Sequence, residues 1–202
     1  VAFHGAAWAG GSVTTINPTY TAGEVHHQLT DSGARFLVTV SMFLPIAREA
    51  AEGTDVEAIF TIDPSDAANI TELMGDPLAE QVSVDNNDVV ALPYSSGTTG
   101  LSKGVMLTHR NLIANLVQTA QMLPIAEGET VLAFLPFFHI YGMQVLMNGA
   151  LCQGGKVVTM PRFDLEQFLS LCQEHKVERA FVAPPIVLAL AKHPLVDQYD
   201  LS

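Results

Sequence analysis

Apolar positions along the chain recur in two rhythms, a period near 3.6 that marks helices and short β-branched runs that mark strands. Thr21-Ala22-Gly23-Glu24 has the pattern of a capping box and opens a predicted helix through about residue 32. Residues 35–40 are rich in β-formers, and Ser41 is placed to cap a second helix to about residue 52. Residues 57–62 predict another strand, whereas 63–87, with Pro64, Pro77 and Asn86-Asn87, predict a turn-rich surface excursion. A strand at 89–92 and a second at 105–107 flank a polar, glycine-rich segment at 94–104. Thr108 then caps a helix whose Leu112, Leu116, Ala120 and Leu123 share one face. Strands at 130–135, 156–160 and 179–183 follow, with helices between them. The first of these helices starts near 141 and ends at Gly154-Gly155, and the second is capped by Asp164 with a stripe of Leu165, Phe168, Leu169 and Cys172. Pro184-Pro185 opens a closing helix. Strands separated by helices of this length predict an α/β fold of alternating βαβ units around a mostly parallel sheet.

Composition narrows this picture. The chain has 202 residues with 49% apolar content, enough for a substantial core, and a net charge of −12. That charge argues against nucleic acid or an anionic membrane surface as partner. The cysteines, Cys152 and Cys172, fall in apolar helical patterns and read as buried thiols of a cytoplasmic protein rather than a disulfide or metal pair. His26-His27, His109, His175 and His193 have no metal-ligand spacing and read as surface or packing residues. No apolar run approaches the ~20 residues of a membrane span, and no signal peptide is visible. The chain opens at Val1 on a segment that reads as the inside of a packed helix and stops just after an apolar helix pattern. Both ends read as cuts through a larger protein, with exposed apolar edges expected to favour self-association.

The segment 94–104 carries the most specific chemistry. Ser95, Ser96, Thr98 and Thr99 offer hydroxyl donors, Gly97 and Gly100 let backbone N–H groups approach a ligand, and Lys103 adds a point charge. Such a set suits an anion such as a phosphate; an ordinary polar turn is the alternative. The P-loop of nucleotide hydrolases requires Gly-Lys-Ser/Thr after four residues, and here Ser102 precedes and Gly104 follows Lys103. A second cluster, Pro136-Phe137-Phe138-His139-Ile140-Tyr141-Gly142, leaves a strand and enters a helix. Ligands of open α/β sheets lie at the carboxyl ends of strands, so both segments are candidates for one crevice. On the residues alone, His139 fits either a packed core histidine or a functional one.

Residues 94–104 resemble the phosphate-binding signature of the adenylate-forming enzymes, with Ser102 where the usual form has proline. That superfamily includes acyl-CoA synthetases, luciferases and peptide-synthetase adenylation domains. Residues 136–142 are similar to the second signature of its acyl-CoA ligase branch, above all the 4-coumarate–CoA ligases. The resemblance implies that Ser95, Ser96, Gly97, Thr98, Thr99, Gly100 and Lys103 bind ATP or AMP. It implies a place for His139 between nucleotide and acyl pockets, for Tyr141 along the acid and for Gly142 in giving the ring room. Lys103 and His139 are the residues it marks as catalytic. Arg162 matches a basic position that meets CoA phosphates, and a solvated surface cation is the other reading of it. Val145 stands where some plant ligases carry serine, and residues 137–142 hold no acid to pair with an amino-acid substrate. The implied reaction is ATP-dependent activation of a hydroxycinnamate-like carboxylic acid to an acyl-adenylate, then thioester formation with CoA. ATP, Mg²⁺ and CoA are the expected cofactors, with most Mg²⁺ ligands outside this chain and no metal site within it. The expected organisation is a partial N-terminal domain over 1–202, subdivided at 1–87 and 88–202, without the C-terminal lid and its catalytic lysine, and inactive alone. A luciferase-like oxygenase and a non-catalytic nucleotide-binding module are the alternatives.

Overall fold

The computed structural model describes residues 1–76, 78, 80, 82–95 and 102–201. Two compact units make up the chain, Val1–His109 and Arg110–Ser202. The boundary falls later than the 87/88 division read from the sequence, because strand pairing holds residues 89–108 to the first unit.

The first unit opens on α1 (Ala2–Trp8), none of whose residues is buried, in contrast to the packed helix expected there. Helix α2 (Ala22–Ser32) has the predicted capping box: the Glu24 N–H donates to Thr21 Oγ1, and the Thr21 N–H donates to Glu24 Oε2 at 2.8 Å. Gly33 ends it at φ +60°, a conformation that costs a residue without Cβ little. Strand β1 (Phe36–Thr39) follows. Ser41 begins a 3₁₀ turn, Ser41–Phe43, rather than the α-helix itself, and Asp63 accepts from both its N–H and its hydroxyl. Helix α3 (Leu44–Ala51), β2 (Ala58–Thr61) and β3 (Ala68–Asn69) complete a parallel sheet in the order β1-β2-β3. Val25, Leu29, Leu37, Ala47 and Ala50 form the core of this layer. The predicted excursion at 63–87 thus contains β3 and a 3₁₀ turn, Ile70–Leu73. That turn is closed by a capping box in which Thr71 donates to Asn69 Oδ1 and Asn69 N–H to Glu72 Oε1.

Next come β4 (Val89–Ala91), β5 (Tyr94–Ser95), β6 (Lys103–Gly104) and β7 (Leu107–Thr108). Two antiparallel pairs result, β4 with β7 and β5 with β6. Val13 bridges to β4 in parallel, its N–H donating to Val90 O at 2.9 Å. The single strand expected at 105–107 is therefore replaced by β6 and β7, because the chain must pair first with β5 and then with β4.

The second unit follows the predicted βαβ order. Helix α4 (His109–Met122) buries Leu112, and Leu116 and Ala120 are half-buried. Strand β8 (Thr130–Ala133) is buried along its whole length. A π-helical stretch, Gly142–Asn148, runs into α5 (Gly149–Cys152). Then come β9 (Lys156–Thr159), α6 (Leu165–His175), β10 (Arg179–Ala180) and α7 (Pro184–Lys192). The sheet order is β10-β8-β9, all parallel. Asp164 caps α6 by accepting from Gln167 N–H at 2.9 Å, which aims Phe168 and Leu169 at β8. Each such large apolar side chain contributes about 1.5–3 kcal/mol when fully buried. Phe134, Phe163 and Phe168 meet ring to ring at 5.5–5.8 Å between centroids. The cysteines depart from expectation. Cys152 is exposed at the end of α5, and Cys172 is half-buried, its thiol pushed up by burial. Among the described residues no helix is long and apolar enough to cross a membrane.

Candidate active site

A short antiparallel stem brackets residues 96–101 in sequence. Ser95 pairs with Lys103 and Tyr94 with Gly104, and the Val105 N–H donates to Pro93 O at 3.0 Å. Both Ser95 and Lys103 are exposed. Lys103 lies on a strand rather than within the loop, which fixes its backbone and leaves its ammonium on a mobile side chain. Ser96, Gly97, Thr98, Thr99 and Gly100 lie outside the described residues.

Helix α2 meets the same stem, at residues to which the sequence reading gave no role. His27 Nε2 lies 3.0 Å from the Ser102 carbonyl, so this nitrogen carries the proton and donates. The Tyr94 hydroxyl donates to Asp31 Oδ2 at 2.5 Å. Burial, then the carboxylate of Asp31, pushes the Tyr94 phenol well above its usual range, so it keeps its proton. The signal available in the sequence was the helical phase: Glu24 sets the start of α2, and His27 and Asp31 then share a face four residues apart.

The second unit carries a pocket of about 310 Å³ lined by Leu135, Pro136, His139, Tyr141, Gly142, Val182 and Ala183. Its walls follow the carboxyl ends of β8 and β10, neighbouring parallel strands with Arg179 opposite Val131 and Ala180 opposite Leu132. This is where an open α/β sheet binds ligands, and the volume is near the lower end of the roughly 300–1,000 Å³ found for small-molecule sites. The turn that presents His139 is tightly specified. Its N–H donates to Pro136 O at 3.1 Å, its carbonyl accepts from Met143 N–H at 2.9 Å, and its Nδ1 accepts from Tyr141 N–H at 3.2 Å. An accepting Nδ1 puts the proton of the neutral ring on Nε2, which makes that nitrogen a donor. Tyr141 is 43% exposed, so its ring is available at the pocket rim.

Gly142 has a backbone reason to be glycine. A Cβ there would sit 2.1 Å from the Pro136 carbonyl oxygen. The space it leaves is taken by the main chain of Leu135 and Pro136, not by a ring. Beyond Gly142 the helix widens to π geometry, with the Gly149 N–H donating to Gln144 O five residues back. The buried Gln144 and Asn148 are satisfied: Gln144 Nε2 donates to Leu112 O at 2.7 Å and Asn148 Nδ2 to Gln144 Oε1 at 3.0 Å. Met143 and Leu146 are fully buried and anchor the turn from below. Arg162 is exposed between the buried Met160 and the aromatic cluster at Phe163. Among the described residues no group of His, Cys, Asp and Glu is arranged to hold a metal ion.

A family model of AMP-binding enzymes matches residues 1–202, the whole of this chain. The chain belongs to the AMP-binding enzyme family. Within that family it is similar to 4-coumarate–CoA ligase 2 of Petroselinum crispum, 39% identical over 100% of this chain and 38% of that ligase. It is 37% identical to 4-coumarate–CoA ligase 3 of Arabidopsis thaliana, over 99% of this chain and 37% of the relative. The chain therefore spans under two-fifths of the length of these curated ligases. Among solved structures, a red-emitting luciferase from Phrixothrix hirtus superposes with a TM-score of 0.88 at 28% identity, covering 99% of this chain and 41% of the luciferase. ATP-bound MatB from Rhodopseudomonas palustris gives 0.84 at 24% identity, over 96% of this chain and 38% of MatB, a likeness of fold. These relatives match the adenylate-forming resemblance and the α/β fold with parallel sheets read from the sequence.

Proposed function

We propose that the full-length protein is an ATP-dependent acid–CoA ligase that activates a carboxylic acid, with a planar aromatic acid as the preferred class. The observation that carries this reading is the pocket at the ends of β8 and β10, which combines apolar walls with the Nε2 donor of His139 and the ring of Tyr141. The substrate carboxylate attacks the α-phosphorus of ATP, the bond to the β-phosphate oxygen breaks, and pyrophosphate leaves with that electron pair. The CoA thiolate then attacks the acyl carbon and AMP departs. Ser95 and Lys103, with residues 96–100, are assigned to the charge that builds on the leaving phosphates, a positioning and electrostatic role. His139 is assigned to the carboxylate as a donor, Tyr141 to the face of the aromatic ring, and Arg162 to the phosphates of CoA. Mg²⁺ would accompany ATP as counter-ion, and no ligand for it is assigned within this chain.

Pyrophosphate exchange by the full-length protein against cinnamic, benzoic and fatty acids tests the reading. Exchange greatest with a cinnamic or benzoic acid supports it, and exchange confined to fatty acids removes the aromatic preference. ATP binding without any exchange points instead to a non-catalytic nucleotide-binding module. Light emission with oxygen uptake would favour luciferase chemistry, a reading supported by the Phrixothrix likeness but at lower identity than the ligases. Residues 1–202 alone are expected to give no steady thioester formation.

A further inference from the structure

A ladder of two residues per strand, such as β5 with β6, is marginal by itself. The stem therefore needs outside support, and α2 supplies it to both strands. On the β6 side, His27 Nε2 donates to the Ser102 carbonyl at 3.0 Å. On the β5 side, Asp31 accepts from the Tyr94 hydroxyl at 2.5 Å. The two contacts are joined, since the His27 and Tyr94 rings meet edge to face at 6.4 Å and 89°. Tyr94 also lies against the opposite strand: a Cβ on Gly104 would come within 3.0 Å of its Cζ, so glycine at 104 lets the ring close over the stem. One residue along the helix, the fully buried Gln28 donates to Thr14 Oγ1 at 2.7 Å, and Thr14 in turn donates to Leu92 O at 2.8 Å, just before the stem.

We propose that α2 is the positioning helix of the β5–β6 stem, with His27 acting through Ser102 and Asp31 acting through Tyr94 to place Ser95 and Lys103 against the terminal phosphates of ATP. The proposal rests on the ligase reading above and adds residues to which it gave no part. None of the three side chains is placed on substrate; each acts through the backbone or side chain of the stem.

The test uses the full-length protein with Tyr94→Phe, which keeps the ring over Gly104 and removes the hydroxyl, and with His27→Ala and His27→Gln. Losing one such hydrogen bond should raise KM for ATP in pyrophosphate exchange on the order of three- to tenfold. KM for the acid and the melting temperature should stay near wild type, and His27→Gln, which restores an N–H donor, should recover KM for ATP. Amide exchange at Val105, whose N–H is bonded to Pro93 O, should quicken in Tyr94→Phe and His27→Ala without any ligand present. KM for ATP within about twofold of wild type in both variants would overturn the proposal. So would a loss that follows the melting temperature and is not recovered by glutamine. If the wild type exchanges no pyrophosphate with any acid, the ligase reading falls, and Val105 exchange decides alone whether α2 clamps the stem: faster supports it, unchanged refutes it.

Discussion

At the scale of single residues, Lys103 and Gly142 separate chemistry from backbone geometry. Lys103 is exposed, and its side chain has no ion-pair partner among the described residues, so removing it should spare the fold. Lys103→Ala in the full-length protein is expected to slow adenylation by on the order of 10²-fold, the scale of losing one preorganised donor, with an unchanged melting temperature. A pyrophosphate exchange rate equal to wild type would refute the role. Gly142→Ala acts through the fold instead. Its new Cβ would meet the Pro136 carbonyl oxygen at 2.1 Å, a backbone atom that cannot swing aside. The strain should destabilise the protein by roughly 1–3 kcal/mol, seen as a lower urea midpoint, and distort the His139 turn. A variant as stable as wild type would mean that the turn relaxes at little cost.

Elements show how far sequence patterns reach. The capping box of α2 and the Asp164 cap of α6 were legible because each rests on contacts within one turn, whereas Leu123 of the stripe expected on α4 lies past the helix end and is exposed. Ser41 was harder to place because Asp63 reaches back to it over twenty-two residues, and the short Asn69 box sits unmarked within a turn-rich surface stretch. In the site, His139 and Tyr141 stood out through their motif, whereas the helical phase puts His27 and Asp31 on one face without saying what that face meets, which depends on where the stem packs. Val182 and Ala183 were read only as the end of a strand, and the structure makes them pocket wall. A partly buried ion pair ties β10 to the residue that precedes β8. Arg179 Nε donates to Glu129 Oε1 at 2.5 Å, and Glu129 Oε2 accepts from Ala126 N–H at 2.8 Å. These bonds, the arginine first, hold the Glu129 carboxyl below its ordinary value of 4.5. A group depressed in the folded state adds stability above that ordinary value and loses it as pH falls through the lowered one. Thermal melts should therefore fall on acidification below about pH 4.5, and Glu129→Gln should flatten part of the decline. Parallel pH profiles for variant and wild type would remove the pair from the account.

Over the whole molecule, apolar side chains remain on the outside. Phe36 is 57% exposed on β1, Ile113 and Val117 stand out on α4, and Val187 and Leu188 on α7 are each more than half exposed. Surface of this kind favours association over a lone monomer. Residues 1–202 prepared alone are expected to elute in gel filtration above the 21.7 kDa of one chain, and a clean monomer would count against that. The net charge of −12 opposes the tendency at neutral pH, so association should strengthen toward the isoelectric point near 4.8. Finally, the pocket takes one wall from 135–142 and the other from 182–183, joined only when β10 docks on β8. During synthesis the histidine turn emerges some forty residues before its opposite wall, and pairing so distant in sequence forms late. The pocket thus takes shape only once β10 has paired with β8.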